Sequence, residues 1–122
     1  MQYLLLIYST ENMWDNQPES ERDKVLQEYH AFSQSIAQSG HIRGANELNV
    51  TRTAKTVRVR DGQQLISDGP FAETKEQLGG YYLVEAKDQN EALRIAARIP
   101  SARWGSVEVR PIIPHDIPSA NG

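Results

Sequence analysis

The sequence lacks cysteine altogether, which excludes both disulfides and zinc sites built on thiolates. It is also short of basic residues: 13 lysines and arginines stand against 16 aspartates and glutamates, a net charge of -3. A nucleic-acid-binding protein normally carries a strongly basic face, so we predict no direct nucleic-acid partner. A chain without cysteine fits a cytoplasmic protein, and the cytoplasm is the location that we predict.

Long hydrophobic runs are missing too. The apolar run at residues 3–8 is too short to span a bilayer, follows no basic segment and ends in polar residues. It therefore predicts a strand rather than a signal peptide or a membrane anchor. The 3 histidines show no HxH or HExxH spacing, so we predict no metal site. We also find neither a dinucleotide-binding fingerprint nor a serine nucleophile elbow, and we predict no cofactor.

A chain of 122 residues lies within the usual size of one domain, so we predict a single domain. We predict that this domain covers residues 1–112 and that residues 113–122 form an irregular tail. The elements predicted in order are a strand at 3–8, a helix from Pro18 or Ser20 to Gly40, a weak strand within 41–50, a hairpin at 56–67, a strand at 81–86, a helix from Asp88 to Pro100 and a strand at 104–112.

Both helices carry recognisable ends and one apolar face. Ser20 with Asp23 resembles a capping box, and Asp88 with Glu91 forms another. Gly40 favours the left-handed turn that ends a helix. The residues expected on the buried faces are Val25, Tyr29, Phe32 and Ile36 in the first helix, and Leu93, Ala96, Ala97 and Ile99 in the second.

The hairpin has a strong turn signal. Asp61-Gly62 favours a two-residue turn with positive φ at both positions. The flanking strands alternate between apolar and polar side chains, so one set should face the core. We expect Val57 and Val59 to point inward, with Arg58 and Arg60 outward or into a cleft.

The element order is β-α-β, hairpin, β-α-β, which predicts an α+β fold of the ferredoxin-like, split βαβ type with an inserted hairpin. Such a fold places both helices on one face of an antiparallel sheet. The first strand, however, is apolar on both of its alternating faces. Because large apolar patches mark interaction surfaces, we predict a homodimer in which a second copy covers the other face.

The segment DGPFAETKEQLGGYYLVE, residues 68–85, resembles the signature of the YCII-related family in its DGPF subfamily. Residues 1–8, 56–62, 91–103 and 106–112 are similar to other segments of that family. The resemblance implies a dimeric α+β barrel of two ferredoxin-like units. It implies no settled activity. Some relatives are encoded beside, or fused to, extracytoplasmic sigma factors, and the wider group is suspected of catalysis through a histidine and an aspartate in a pocket.

Asp68 is the natural acid of such a pair, although a turn aspartate commonly accepts backbone N–H groups instead. The family's histidine lies on the first helix, where the matching position is Tyr29, with His30 beside it. His30 is the candidate catalytic base. The competing interpretation is that it is a half-buried histidine on the surface, without a catalytic role. His41 is a second candidate at the start of the next strand. Tyr29 would orient the ligand.

Two further side chains are candidates for ligand contacts. Phe71 either stacks on a ligand or packs in the core or at the dimer contact. Lys75 either binds an anionic ligand or is simply solvated. Trp104 is expected at an interface or in the wall of a pocket. The pair Gly79-Gly80 is expected to allow a close backbone approach at the start of a strand.

Two functions are consistent with these residues. In the first, a dimer encloses a pocket that binds or transforms a small metabolite, anionic or carbonyl-bearing, with Asp68 and a histidine as acid and base. In the second, the protein is a non-catalytic interaction or regulatory module, linked to transcription through a sigma factor, with the hairpin as its contact surface.

Overall fold

The structure is a computed structural model, and it describes residues 1–116. Its elements are β1 (Gln2–Ser9), α1 (Glu11–Asp15), α2 (Glu19–Gln38), β2 (Ile42–Glu47), β3 (Lys55–Arg60), β4 (Gln63–Asp68), β5 (Gln77–Glu85), α3 (Gln89–Ala97) and β6 (Ser106–Pro111), with short 3-10 turns at Thr51–Thr53 and Pro100–Arg103. Residues 113–116 have no regular structure, and the rest of the predicted tail lies outside the described residues. The domain boundary after residue 112 stays a prediction.

The main sheet has four antiparallel strands in the order β2-β5-β1-β6. The first βαβ unit consists of β1, α2 and β2, and β5 lies between its strands. The second consists of β5, α3 and β6, and β1 lies between its strands. This interleaving is what a split βαβ order requires, so the predicted α+β class with an antiparallel sheet is confirmed.

The core lies between one face of this sheet and the helices. Tyr3, Leu5 and Ile7 point into it because alternate residues of a strand share a face. From α2, Phe32 and Ile36 pack against them, as the helical spacing predicted. The rings of Phe32 and Tyr82 meet edge to face, with centroids 5.1 Å apart. The α3 side of the core consists of Ala92, Ile95, Ala96 and Ile99.

The opposite face of the sheet is only partly covered. Leu4 and Leu6 of β1 and Leu83 of β5 are half-buried there, whereas their neighbours on the helical side are buried. The sequence predicted a first strand that is covered on both faces. Within a single chain, only the face toward the helices is fully covered.

The hairpin forms a separate two-stranded sheet, in which Asp61 (φ 51°) and Gly62 (φ 76°) adopt the predicted positive φ values. The expectation that its valines face the core is wrong. Val57 is 56% exposed and Val59 61% exposed, because β3 and β4 pair only with each other. The hairpin is therefore separate from the main sheet and leaves apolar side chains on its surface.

Of the two predicted capping boxes, one is confirmed and one is wrong. The Asp88 carboxylate accepts a hydrogen bond of 2.9 Å from the Glu91 N–H, which confirms the predicted cap of α3. The capping box at Ser20 is wrong, because α2 begins one residue earlier, directly after Pro18, and has no side-chain cap. Ser20 therefore lies inside the first turn, where it cannot take the extended backbone of a capping residue.

Two smaller expectations also fail. Leu93 is 47% exposed, and Ala97 is exposed as well, because the buried stripe of α3 is set by Ile95 and its neighbours three and four residues away. The short helix α1 was not predicted at all. Gly40, by contrast, has the expected left-handed backbone, with φ 80°.

Within residues 1–116, no helix combines the length and the apolar character needed to cross a membrane.

Candidate functional site

A cleft of about 700 Å³ opens beside the core, between α1, the first half of α2 and the adjoining ends of β2 and β5. The segment Leu48–Val50 forms one side of it, and residues of the Pro100–Arg103 turn form another. Its aromatic lining residues are Trp14, Tyr29, Tyr81, Tyr82 and Trp104. Trp104 as a pocket wall was one of the two roles expected from the sequence.

Glycine makes the strand contact behind the cleft possible. A Cβ on Gly80 would lie 2.8 Å from the Asn46 carbonyl oxygen, so β2 and β5 could not approach as they do. Gly79 has more room, with its nearest neighbour 4.0 Å from an added Cβ. The predicted close approach is therefore confirmed at Gly80 and absent at Gly79.

The floor of the cleft contains a short hydrogen bond between two hydroxyls. Tyr29 Oη lies 2.5 Å from Ser101 Oγ, and Ser101 is buried at 7% exposure. Burial raises the pKa of the Tyr29 phenol, since the charged form would lose hydration. The phenol therefore acts as a neutral hydrogen-bonding group here.

A second tyrosine is held in the same way. Tyr82 Oη lies 2.7 Å from Ser33 Oγ, and burial raises the pKa of this phenol also. Tyr82 lines the cleft as well as packing on Phe32. The Tyr82 side chain thus belongs both to the wall of the cleft and to the core.

The short helix α1 is fixed over the cleft by its first residue. The Glu11 carboxylate accepts hydrogen bonds from the Thr51 N–H at 2.8 Å and from Thr51 Oγ1 at 3.0 Å. The Glu11 N–H in turn donates to Gln77 Oε1 at 3.1 Å. Glu11 therefore ties α1 to the loop after β2 and to the start of β5.

Charge in the cleft is unbalanced. Five carboxylates line it against two cationic side chains: Glu11, Asp15, Glu21, Glu28 and Glu47 against Lys24 and Arg103. Both cations already have acidic partners, because Arg103 pairs with Glu28 and Lys24 lies 3.6 Å from Glu21. Within residues 1–116, Asp15 and Glu47 take part in no ion pair.

The two residues proposed as an acid–base pair lie apart from this cleft. Asp68 ends β4, its side chain is 84% exposed, and it pairs with Lys55. His30 is exposed on α2 and does not line the cleft. Within one chain, then, the structure does not bring Asp68 and His30 together at the cleft.

His41 lies in a different network, between the end of α2 and the start of α3. Its Nδ1 is 2.6 Å from Ser39 Oγ, and its Nε2 is 3.2 Å from Glu91 Oε1. The pKa of Glu91 is lowered, first by the hydrogen bond from the Lys87 N–H and then by His41. His41 thus joins two helix ends and does not contact Asp68.

The remaining candidates are at or beyond the rim. Phe71 is 76% exposed, with the Arg58 guanidinium 5.3 Å from its ring centroid. The side chain of Lys75 is exposed, while its carbonyl accepts a long hydrogen bond, 3.5 Å, from Thr10, a residue of the cleft. Of the candidate catalytic and ligand-binding residues, Tyr29 alone lines the cleft in residues 1–116.

Sequence reasoning missed several residues of this site, among them Glu11, Trp14, Glu47 and Ser101. Trp14 was the most accessible signal, since a tryptophan in an otherwise polar stretch often has a binding role. The others carry no local signal, because they come together only through the fold. No cluster suited to a metal ion occurs in the part of the chain that the structure describes.

Comparison with known proteins gives two findings. The family model described as the YCII-related domain matches residues 1–116. An uncharacterized protein of Rhizobium meliloti (strain 1021) is 35% identical over 124 residues, covering 98% of this chain and 100% of that protein.

Proposed function

The chain belongs to the YCII-related domain family, and from the cleft we propose that it is a small-molecule-binding protein that works as a homodimer. One observation carries the binding function: a cleft of about 700 Å³ with aromatic walls and a few positioned polar groups. Ligand sites typically have this size and this combination of surfaces. We also propose a cytoplasmic location, supported by the lack of cysteine.

The polar groups give the cleft its capacity to select a ligand. The Tyr29–Ser101 pair presents hydroxyls at the floor, and Asn46 donates to Tyr81 Oη at 2.8 Å near the edge. These side chains are held by hydrogen bonds before any ligand arrives. A ligand therefore loses less free energy in ordering the site.

The homodimer is proposed from two surfaces that one chain leaves open. The first is the far face of the main sheet, with Leu4, Leu6 and Leu83 half-buried. The second is the hairpin, where Val57 and Ile66 pair across the strands and are 56% and 61% exposed. An isolated two-stranded hairpin is at best marginally stable in water, so contact with a second chain supports it. A dimeric α+β barrel of two ferredoxin-like units provides such cover.

Catalysis by Asp68 and His30 is the further part of this proposal, and it depends on the dimer. Asp68 follows the exposed hairpin, at the end of β4. If the hairpin lies against a second chain, Asp68 approaches that chain rather than its own. The acid–base pair, with His41, Phe71 or Lys75 near the ligand, would then form between subunits.

The binding function is tested by filling the cleft. Ala45 is an exposed lining residue of β2, so Ala45→Trp adds bulk to the cleft without removing core contacts. Ala37→Trp is the matched control, on an exposed position of α2 outside the cleft. We expect compounds from a fragment library to raise the Tm of the wild type and of the control, but not of Ala45→Trp. No hit with the wild type, or equal shifts in both variants, would contradict the proposal.

The homodimer is tested by placing a charge on the open sheet face. Leu6→Lys should yield monomers or insoluble protein, because the lysine would be buried without a partner. Leu93→Lys, on an exposed position of α3, is the control and should remain dimeric. Molar mass is measured by light scattering during size-exclusion chromatography. A stable wild-type monomer would refute the assembly.

A second candidate function is favoured by the exposed hairpin itself. Its apolar side chains, together with Arg58 and Arg60, form a surface suited to another protein. We propose, as the alternative, a non-catalytic module whose partner is an extracytoplasmic sigma factor. A purified sigma factor should then bind the wild type and lose affinity when Arg58 and Arg60 are both changed to Ala. Binding that is absent, or unaffected by those changes, would count against it.

A further inference from the structure

The electrostatic character of the cleft restricts what it can bind. Its carboxylates outnumber its cationic side chains five to two. An anionic ligand would have to compete with Glu28 for Arg103 or with Glu21 for Lys24. Taking an anion out of water into a site of like charge is unfavourable, so the cleft disfavours carboxylate and phosphate ligands.

The negative charge reaches the floor of the cleft as well as its rim. Burial is the main cause of the raised pKa of the Tyr29 phenol, and the negative charge of Glu47 adds to it. Glu47 lines the cleft and has no cationic partner within residues 1–116. A cation entering the cleft would therefore meet an unneutralised carboxylate.

The walls supply the second requirement for binding an organic cation. Trp14 lines the cleft at 36% exposure, and aromatic faces attract ammonium groups through their quadrupole. Trp104 already serves a cation in this way, with the Arg103 guanidinium 5.2 Å from its ring centroid. Aromatic faces combined with carboxylates are the usual means of recognising ammonium groups.

We propose that the ligand of this cleft is an organic cation, with an ammonium group attached to an apolar or aromatic body. The ammonium group binds near Glu47, and the apolar body contacts the aromatic walls. This inference rests on the proposed binding function and narrows it to one class of ligand. It replaces the anionic ligand that the sequence suggested.

The test compares three probes that share a phenylpropyl body: 3-phenylpropylamine, 3-phenylpropanol and 3-phenylpropanoate. Their dissociation constants are measured by NMR titration at pH 7. We expect the amine to bind most tightly and the carboxylate most weakly. Glu47→Gln should weaken the amine about fivefold, the loss that corresponds to one partly exposed ion pair, and should leave the alcohol unchanged.

Glu73→Gln is the matched control, because Glu73 is exposed and lies outside the cleft. It removes the same charge from the chain and should leave all three dissociation constants unchanged. An amine that binds no better than the carboxylate, no binding by any of the three probes, or an equal loss in both variants would overturn the inference. The binding function itself would survive if other compounds still bound the wild type and failed to bind Ala45→Trp.

Discussion

Removing the Tyr29 hydroxyl should destabilise the protein by a predictable amount. The change is Tyr29→Phe, which keeps the ring and deletes the partner of Ser101, 2.5 Å away. Ser101 is 7% exposed, and no other side-chain hydrogen bond of its hydroxyl is formed within the described residues. Leaving such a buried group unsatisfied costs about 1–3 kcal/mol. For a chain of this length, we expect a loss of about 4–12 °C in Tm.

A double-mutant cycle separates the hydrogen bond from the rest of this cost. Ser101→Ala alone should also destabilise, but the double variant Tyr29→Phe/Ser101→Ala should lose less than the sum of both. We expect a coupling free energy of about 1 kcal/mol, the usual range for directly bonded neighbours. Unfolding is followed by circular dichroism in urea at one protein concentration, since a dimer's stability depends on concentration. Additive losses would refute the reasoning.

The same variant should change how stability depends on pH. Burial raises the pKa of Tyr29, so the folded protein keeps this proton at pH values where the unfolded chain, with a pKa of about 10, has lost it. Its contribution is fully present below pH 10 and is lost as the pH rises through the folded pKa. The wild type should therefore lose stability above pH 10 more steeply than Tyr29→Phe. Parallel curves would contradict a raised pKa.

Two further changes test the local structure. Gly80→Ala should lower stability by about 1–3 kcal/mol in thermal unfolding, because its Cβ would lie 2.8 Å from the Asn46 carbonyl oxygen. Gly79→Ala is the control, since an added Cβ has room there. Equal effects of the two changes would contradict the close approach. Asp88→Ala should lower the free energy of unfolding by about 1 kcal/mol through loss of the α3 cap. Ser20→Ala, at a helix start without a side-chain cap, should change it very little. The reverse order would show that the caps are misassigned.

Much of the fold follows from short-range signals in the chain. The Asp61-Gly62 turn, the Asp88 cap and the left-handed Gly40 depend only on residues within one turn of each position. The buried stripe through Phe32 and Ile36 follows from helical periodicity. The same reasoning failed for Val57 and Val59, because strand alternation says which side chains share a face but not whether anything covers that face.

The site was harder to predict than the fold. The segment at residues 68–85 has the densest chemistry in the sequence, yet Asp68 and Phe71 are exposed outside the cleft. Tyr29 was found because it occupies the position on the first helix that matches the family's histidine. Its partner Ser101 is 72 positions away along the chain and gives no local indication of the contact.

Sequence alone determined the Asp61-Gly62 turn, the Asp88 cap, the α+β class and the family, because these depend on local backbone preference and on a pattern running through the whole chain. Only the tertiary structure decided which side chains share a cleft. It brought Glu11 beside Thr51 and Tyr29 beside Ser101 through contacts between distant segments. Such contacts depend on how helices and strands pack, and local sequence does not encode the distances between them.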